Sequence, residues 1–221
     1  EADTLLAATR ALDPLDAWAR ALSGKTPTCD AQVLLDLAHD HARAGLYAEG
    51  LAFLATAHAQ PASGTAPLIA YTAAWLGNLI GYQTEMRRWL ARAERAAPDY
   101  CFPARVEEIA VLQFAIAANP RDARAPYYLG NLLYDRRRHR EAIALWEKSA
   151  RLDPSFSVVW RNLGIGYYNV LQQPAKARAS YDAAVRANPH DARLLYERDQ
   201  LWKRRGESPA SRLRALEERR D

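Results

Sequence analysis

The sequence predicts an all-α fold, a solenoid of stacked helix-turn-helix repeats. Three observations lead to this prediction: the composition favours helix, apolar residues recur at helical spacing, and landmark residues repeat every 34 to 35 positions. Alanine and leucine, which favour helices, dominate the 221 residues, whereas the valine and threonine that favour strands are scarce. A chain of this length can bury a substantial core.

The landmark residues are clearest in the second half of the chain. Two Leu-Gly pairs, ending at Gly130 and Gly164, lie 34 residues apart, and the aromatic residues Trp146 and Tyr181 lie 35 residues apart. Each copy closes on a proline, which disfavours helix at the residue before it. We interpret each copy as two helices joined by a turn.

Residues 124–135 and 140–151 carry apolar side chains at helical spacing and predict the two helices of the first copy. Two helices cross closely only where side chains are small, and Gly130 and Ala142 offer such places on the first and second helix. Trp146 is then expected to fill the volume between one helix pair and the next. The unit is therefore suited to stacking.

These residues resemble the tetratricopeptide repeat, whose pattern is Leu-Gly on the first helix, a small residue and then an aromatic on the second, and a closing proline. Residues 123–191 contain two well-matched copies. The resemblance implies a right-handed superhelical array whose first helices line the inner face. The chain is also similar to the helical portion of a family of large bacterial proteins with an uncharacterised N-terminal β-rich domain, which implies a multidomain parent.

Divergent copies of the repeat lie on both sides of this pair. Residues 31–100 hold two of them, with Gly45 and Gly81 in their turns. Residues 192–221 begin a further divergent repeat, with Gly206 in its turn, and this repeat is truncated.

Two segments depart from the period. Residues 101–122 have room for one helix, at about 104–118, and predict a half repeat. Residues 1–30 predict the end of a preceding repeat and a short helix around Trp18.

Composition argues against several classes of protein. No apolar run approaches the roughly 20 residues of a membrane span, and the acidic, polar start does not resemble a signal peptide. Cys29 and Cys101 form no Cys-x-x-Cys pair, which favours a reducing compartment, and we expect a cytoplasmic location. The net charge is only +4 and arginines alternate with acids, as on solvated helix faces, so we expect no nucleic-acid role.

No catalytic pattern stands out in the chain. Phosphate-binding glycine loops and the Gly-x-Ser-x-Gly nucleophile motif are absent from the sequence. Asp36 and Asp40 lie one helical turn apart with His39 between them, which suggests either a metal pair or a polar helix face; we predict the polar face. The sequence therefore predicts no catalytic residue, no metal and no cofactor, and hence no enzyme.

A basic run, Arg136 to Arg140, falls at the predicted turn between two helices. One interpretation is a solvated turn. The other is a docking edge for an anionic partner, joined by Arg204 and Arg205 in the corresponding turn two repeats later. Both interpretations remain open at this stage.

The inner positions of the first helices are rich in Tyr, Asn and Arg. Tyrosine and arginine are frequent hot spots of interfaces, and asparagine can both donate to and accept from a peptide backbone. Packing between helices is the alternative for each tyrosine. We predict a groove that binds a peptide or protein partner, formed by Tyr127, Asn131, Tyr134, Arg161, Asn162, Tyr168 and Arg193.

Some tetratricopeptide domains hold the C-terminal carboxylate of a peptide with five residues on three successive first helices. Asn131, Asn162 and Arg193 match three of those places, whereas Tyr127 and Glu197 replace a lysine and an arginine. Glu197 would repel a carboxylate unless it is paired, and Arg193, four residues away, could pair it. An internal peptide or a neighbouring domain is the expected occupant.

The functional prediction is a non-catalytic scaffold that binds a protein, a peptide or another domain of its own parent chain. The alternative is a helical accessory module of a multidomain carbohydrate-active enzyme, which adds groove residues to an active site on a β-rich domain. Nucleic-acid binding through the arginines is a third reading, which salt dependence would test.

Overall fold

The computed structural model describes residues 1–25, 29–57 and 64–217. Within these ranges the secondary structure is helical, with thirteen α-helices and no strand, which confirms the all-α prediction. The predicted segments at both ends, and the segment with the first two divergent repeats, each include a few residues outside the described part. Among the described residues, no helix combines the length and the apolar character needed to cross a membrane.

The chain divides into two compact units, of which the first is Glu1–Asn119. Its helices are α1 Ala2–Leu12, α2 Ala17–Leu22, α3 Ala31–Arg43, α4 Tyr47–Thr56, α5 Ala66–Leu79, α6 Gln83–Arg95 and α7 Glu107–Ala118. Helices α3 and α4 pack as one pair and α5 and α6 as the next, while α7 is a single helix that packs against α5.

The second unit is Pro120–Asp221. Its helices are α8 Arg124–Asp135, α9 His139–Leu152, α10 Ser157–Asn169, α11 Pro174–Ala187, α12 Ala192–Arg204 and α13 Pro209–Glu217. The pairs α8–α9, α10–α11 and α12–α13 follow one another, and each second helix also packs against the next first helix. This is the arrangement of a tetratricopeptide-type solenoid.

The two helices of a pair interlock through a glycine and an aromatic ring. A Cβ atom on Gly130 would lie 2.5 Å from Trp146, and one on Gly164 would lie 2.6 Å from Tyr181. Both rings are almost fully buried, and burying an aromatic side chain stabilises a fold by about 1.5–3 kcal/mol. The small Ser149 of α9 is also buried, and its hydroxyl donates to the carbonyl of Ala123 at 2.7 Å.

Four of the turns inside the helix pairs use one left-handed residue to end the first helix. Glycine fills this position at Gly45, Gly81 and Gly206, with φ between +78° and +80°, but Arg137 fills it after α8, with φ +61°. There the amide of Arg138 donates to the carbonyl of Leu133 at 2.8 Å, as in a Schellman cap. A non-glycine residue in this conformation carries a strain of about 1–2 kcal/mol.

The loop before α7 is fixed by a buried carboxylate and a bridging arginine. Glu108 is fully buried and accepts from the amides of Ala104 and Arg105 at 2.7 and 2.9 Å. The Arg105 side chain donates to Asp36 at 2.6 Å and to the backbone carbonyl of Gln32 at 3.1 Å, both on α3. These bonds hold residues 104 and 105 outside the helix, so α7 begins three residues later than its predicted start.

Candidate functional site

The first helices of the second unit, α8, α10 and α12, carry a groove with two pockets. The larger pocket, of about 360 Å³, lies between α10 and α12 and is lined by Arg161, Gly164, Ile165, Tyr168, Asn169, Tyr181, Tyr196, Glu197, Gln200, Leu201 and Arg204. The smaller, of about 190 Å³, lies between α8 and α10 and is lined by Asn131, Tyr134, Trp146, Asn162 and Ile165. Because Ile165 borders both, we treat them as one surface, the first-helix groove.

Helical spacing explains why these side chains share a face. Residues three and four positions apart lie on the same side of a helix, and Arg161, Ile165 and Tyr168 follow this spacing on α10. On α12 the same spacing brings Glu197 and Gln200 to the pocket. The groove is therefore built from one stripe of each first helix.

The floor of the groove is formed partly by aromatic rings from the second helices. Gly130 and Gly164 leave no side chain between the helices of a pair, so Trp146 of α9 and Tyr181 of α11 reach through to the pockets. Tyr134 lies beside Trp146, with 5.1 Å between the ring centroids. This floor offers an apolar surface to a ligand side chain.

Two asparagines join α8 to α10 at the smaller pocket. The side-chain oxygen of Asn131 accepts from the Nδ2 of Asn162 at 2.9 Å and from the indole nitrogen of Trp146 at 3.1 Å. Both bonds end on the oxygen, so they fix the orientation of the amide and leave its NH₂ group for another acceptor. Among the described residues this NH₂ group has no acceptor, so Asn131 can donate to a ligand carbonyl.

Glu197 joins α10, α11 and α12 at the larger pocket. Its carboxylate accepts two hydrogen bonds of 2.7 Å from the guanidinium of Arg161, one of 2.9 Å from Arg193 and one of 3.4 Å from the hydroxyl of Tyr181. Burial acts to raise the pKa of Glu197, but the hydrogen bonds and charges of the two arginines outweigh it, and the pKa is lowered. The carboxylate is therefore ionised at neutral pH.

Two tyrosines of the groove, Tyr134 and Tyr181, remain protonated at neutral pH. Burial, followed by the nearby charge of Glu197, raises the pKa of Tyr181 to about 12. Burial also raises the pKa of Tyr134. Tyr196 is 63% exposed and Tyr168 is half-buried, so their rings can cover a ligand from the sides of the larger pocket.

The structure brings most of the sequence-predicted groove residues together. Three of them, Asn131, Tyr134 and Asn162, line the smaller pocket, and Arg161 and Tyr168 line the larger one. Arg193 lies 71% exposed at the edge and reaches the site through its bond to Glu197. Tyr127 is only 6% exposed and packs edge-to-face on Phe156, with 4.7 Å between the ring centroids, so it lies under the surface and lines neither pocket.

The predicted site did not include the two aromatic residues of the groove floor, Trp146 and Tyr181. Trp146 was assigned to packing between helix pairs, and Tyr181 was noted only as the matching aromatic residue of the next copy; both rings are buried. The signal that could have found them is the pairing of each ring with a glycine 16 or 17 residues earlier, because the glycine opens a path to the opposite face.

The basic run begins in the turn between α8 and α9, as predicted, and its last two residues, His139 and Arg140, are the first of α9. Arg138 donates two hydrogen bonds to Glu141, of 2.7 and 2.6 Å, and His139 lies on the ring of Tyr134 with 4.5 Å between centroids. Because Glu141 compensates part of its charge, the run is less basic than its sequence suggests. The two interpretations of the run, a solvated turn and a docking edge for an anionic partner, both stay predictions.

The acidic pair on α3 is committed to other partners. Asp36 pairs with Arg105, and Asp40 accepts from the indole nitrogen of Trp18 at 2.6 Å. His39 is buried between them, and neither of its ring nitrogens bonds to another described residue. Within the described part of the chain, no group of three or more potential ligands could hold a metal ion.

Comparison with known proteins gives a likeness of fold only. No protein-family model matches the chain. Among solved structures, it is similar to MamA 41-end from Desulfovibrio magneticus RS-1, at 17% identity and TM-score 0.46, over 85% of this chain and 93% of that one. It is also similar to MamA MSR-1, at 19% identity and TM-score 0.43, over 85% of this chain and 97% of that one. Identities and scores this low carry no information about a shared function.

Proposed function

We propose that the chain is a non-catalytic binding module that holds an extended segment of a protein partner, or of another domain of its parent chain, in the first-helix groove. The observation that carries this proposal is the combination of two adjoining pockets with an oriented amide donor at Asn131. An extended segment presents side chains and backbone carbonyls along one line, which matches this combination.

The chemistry of the groove supports binding rather than catalysis. A general acid or base needs a free carboxyl or imidazole with a pKa near neutrality. Glu197, the one carboxylate that lines the described pockets of the groove, has a lowered pKa and is fully hydrogen-bonded to Arg161, Arg193 and Tyr181. Burial raises the pKa of Tyr181 further from neutrality. These groups are suited to positioning a ligand.

The proposal is tested by measuring the affinity of a captured partner for two matched variants. The groove variant replaces Tyr168 and Tyr196 by alanine, because both rings line the larger pocket and neither makes a hydrogen bond to another described residue. The control replaces Arg151 and Arg186, two exposed residues on the second helices α9 and α11, by alanine. The loss of one hot-spot contact corresponds to about tenfold in Kd, so the groove variant should bind at least tenfold more weakly.

The control variant should bind as tightly as the parent, and both variants should unfold at the parent's temperature. A partner that loses affinity with the control and keeps it with the groove variant would place the binding site on the second helices.

A further inference from the structure

We propose that Glu197 determines the specificity of the first-helix groove, because its carboxylate binds the arginines that could otherwise bind a carboxylate of the ligand. The groove then selects internal peptide segments that place a large apolar side chain in the α10–α12 pocket, and it does not select free C-termini. This inference rests on the proposed function.

The carboxylate of Glu197 is saturated by partners within the chain. A carboxylate has about four lone-pair sites that can accept hydrogen bonds. Glu197 accepts four such bonds, two from Arg161, one from Arg193 and one from Tyr181. The remaining described bond of the Arg161 guanidinium goes to the oxygen of Asn162 at 3.4 Å. Arg161 is only 20% exposed, and the guanidinium edge formed by its Nε and Nη2 is occupied by both oxygens of Glu197, so the deeper of the two cations cannot hold a ligand carboxylate at that edge.

Arg193, the exposed arginine of the cluster, offers only weak binding to an anion. Arg193 keeps free N–H groups, but it is 71% exposed, and an exposed ion pair contributes only about 0–1 kcal/mol. A ligand carboxylate at this place would also approach the ionised carboxylate of Glu197. The free acid and the amide of one peptide should therefore differ by less than about fivefold in Kd.

The rest of the groove is suited to other features of a peptide. Around the ion cluster the walls are Ile165, Tyr168, Tyr181 and Tyr196, and the space of about 360 Å³ accommodates one large apolar side chain. On the other side of Ile165, the NH₂ group of Asn131 has no acceptor among the described residues and can donate to a backbone carbonyl. A carbonyl and an apolar side chain are both features of the interior of a peptide.

The experiment uses two matched random libraries of twelve-residue peptides as the probe. One library ends in the free carboxylate and the other in the amide, and both are selected on the immobilised wild-type chain. The expected result is enrichment of the same large apolar residue from both libraries, at positions that are not fixed relative to the C-terminus.

A variant of Glu197 provides a second measurement, the preference for the acid or the amide form of a peptide. Glu197→Gln removes the internal carboxylate and frees Arg161, so this variant should prefer the free-acid form of a selected peptide over its amide by about tenfold or more. The double variant Arg161→Gln with Glu197→Gln removes both charges and should lose that preference. Circular dichroism checks that each variant remains helical, and the wild-type selections decide the question alone if a variant fails to fold.

Three results have separate meanings. Internal motifs from both wild-type libraries support the inference. Motifs that come only from the free-acid library, at fixed distances from the C-terminus, overturn the inference and leave the proposed function standing. If neither library yields a motif that depends on Tyr168 and Tyr196, the proposed function fails and the inference fails with it.

Discussion

A Cβ atom on Gly130 would lie 2.5 Å from both Cδ1 and Nε1 of Trp146, closer than any ordinary contact allows. The same relationship joins Gly164 to Tyr181, at 2.6 Å. These two contacts set how closely α8 approaches α9 and α10 approaches α11, and they place the aromatic floor of the groove.

Adding a methyl group at either glycine should therefore destabilise the protein. Gly130→Ala and Gly164→Ala force a buried ring to move, which should lower the free energy of unfolding by about 1–3 kcal/mol. The matched control is Gly77→Ala in α5, where the new Cβ would find its nearest atom at 3.7 Å. Because alanine favours helix over glycine by about 1 kcal/mol, the control should be neutral or stabilising in urea denaturation. Equal destabilisation by all three variants would contradict the interlocking.

The left-handed arginine in the α8–α9 turn predicts a stabilising substitution. Arg137→Gly relieves the strain of φ +61° and should raise the free energy of unfolding by about 1 kcal/mol. Gly206→Ala is the reverse control, since Gly206 has φ +80° and open space around it, and it should cost about 1 kcal/mol. Thermal unfolding of both variants measures the difference, and a destabilised Arg137→Gly would mean that the arginine side chain stabilises the turn.

The loop before α7 should depend on the guanidinium of Arg105. Arg105→Ala leaves the buried carboxylate of Glu108 without a charged partner, and breaking such a pair costs about 3–5 kcal/mol. Arg105→Lys should recover little of this, because one ammonium group cannot reach Asp36, Gln32 and Glu108 in the same planar arrangement. Denaturant unfolding of both variants tests this, and full recovery by lysine would show that charge alone suffices.

His39 predicts how stability changes with pH. Burial, which outweighs the opposing charges of Glu107 and Asp36, lowers its pKa from 6.5 to about 4. Between these values the unfolded chain binds a proton that the folded chain does not, so the free energy of unfolding falls as pH decreases through this window. A shift of this size corresponds to about 3 kcal/mol, complete below pH 4.

The test compares the pH dependence of urea unfolding in matched histidine variants. His39→Leu should flatten the slope between pH 6.5 and 4, whereas His190→Gln, at an exposed site, should leave it unchanged. An unchanged slope in His39→Leu would show that this histidine is not the titrating group.

Helical periodicity was sufficient to predict the elements of the second unit. The predicted helices at 124–135 and 140–151 correspond to Arg124–Asp135 and His139–Leu152. Such helices depend on the spacing of apolar residues within one segment, so the sequence pattern predicts them. The start of α7 was placed three residues too early, at 104, because the bonds that the amides of Ala104 and Arg105 donate to Glu108 are specific to that loop.

The candidate site was only partly predictable because its key bonds join residues far apart in sequence. Arg161 and Glu197 are 36 positions apart, and only their juxtaposition on α10 and α12 shows that the carboxylate is saturated. Likewise, helical spacing places Tyr127 on the inner face, but Phe156, from the next connection, covers its ring. Neither fact can be obtained from the spacing within a single helix.

The proposed function requires that the first-helix groove bind a protein segment. Site-specific photocrosslinking measures this most directly, with benzoylphenylalanine in place of Tyr196 in the groove or in place of Arg186 on the exposed side of α11. In cells of the source organism, the Tyr196 position should yield a discrete polypeptide adduct that the Tyr168→Ala background weakens, and the Arg186 position should yield none. An adduct from Arg186 together with none from Tyr196 would contradict the proposed function and move the binding surface to the second helices.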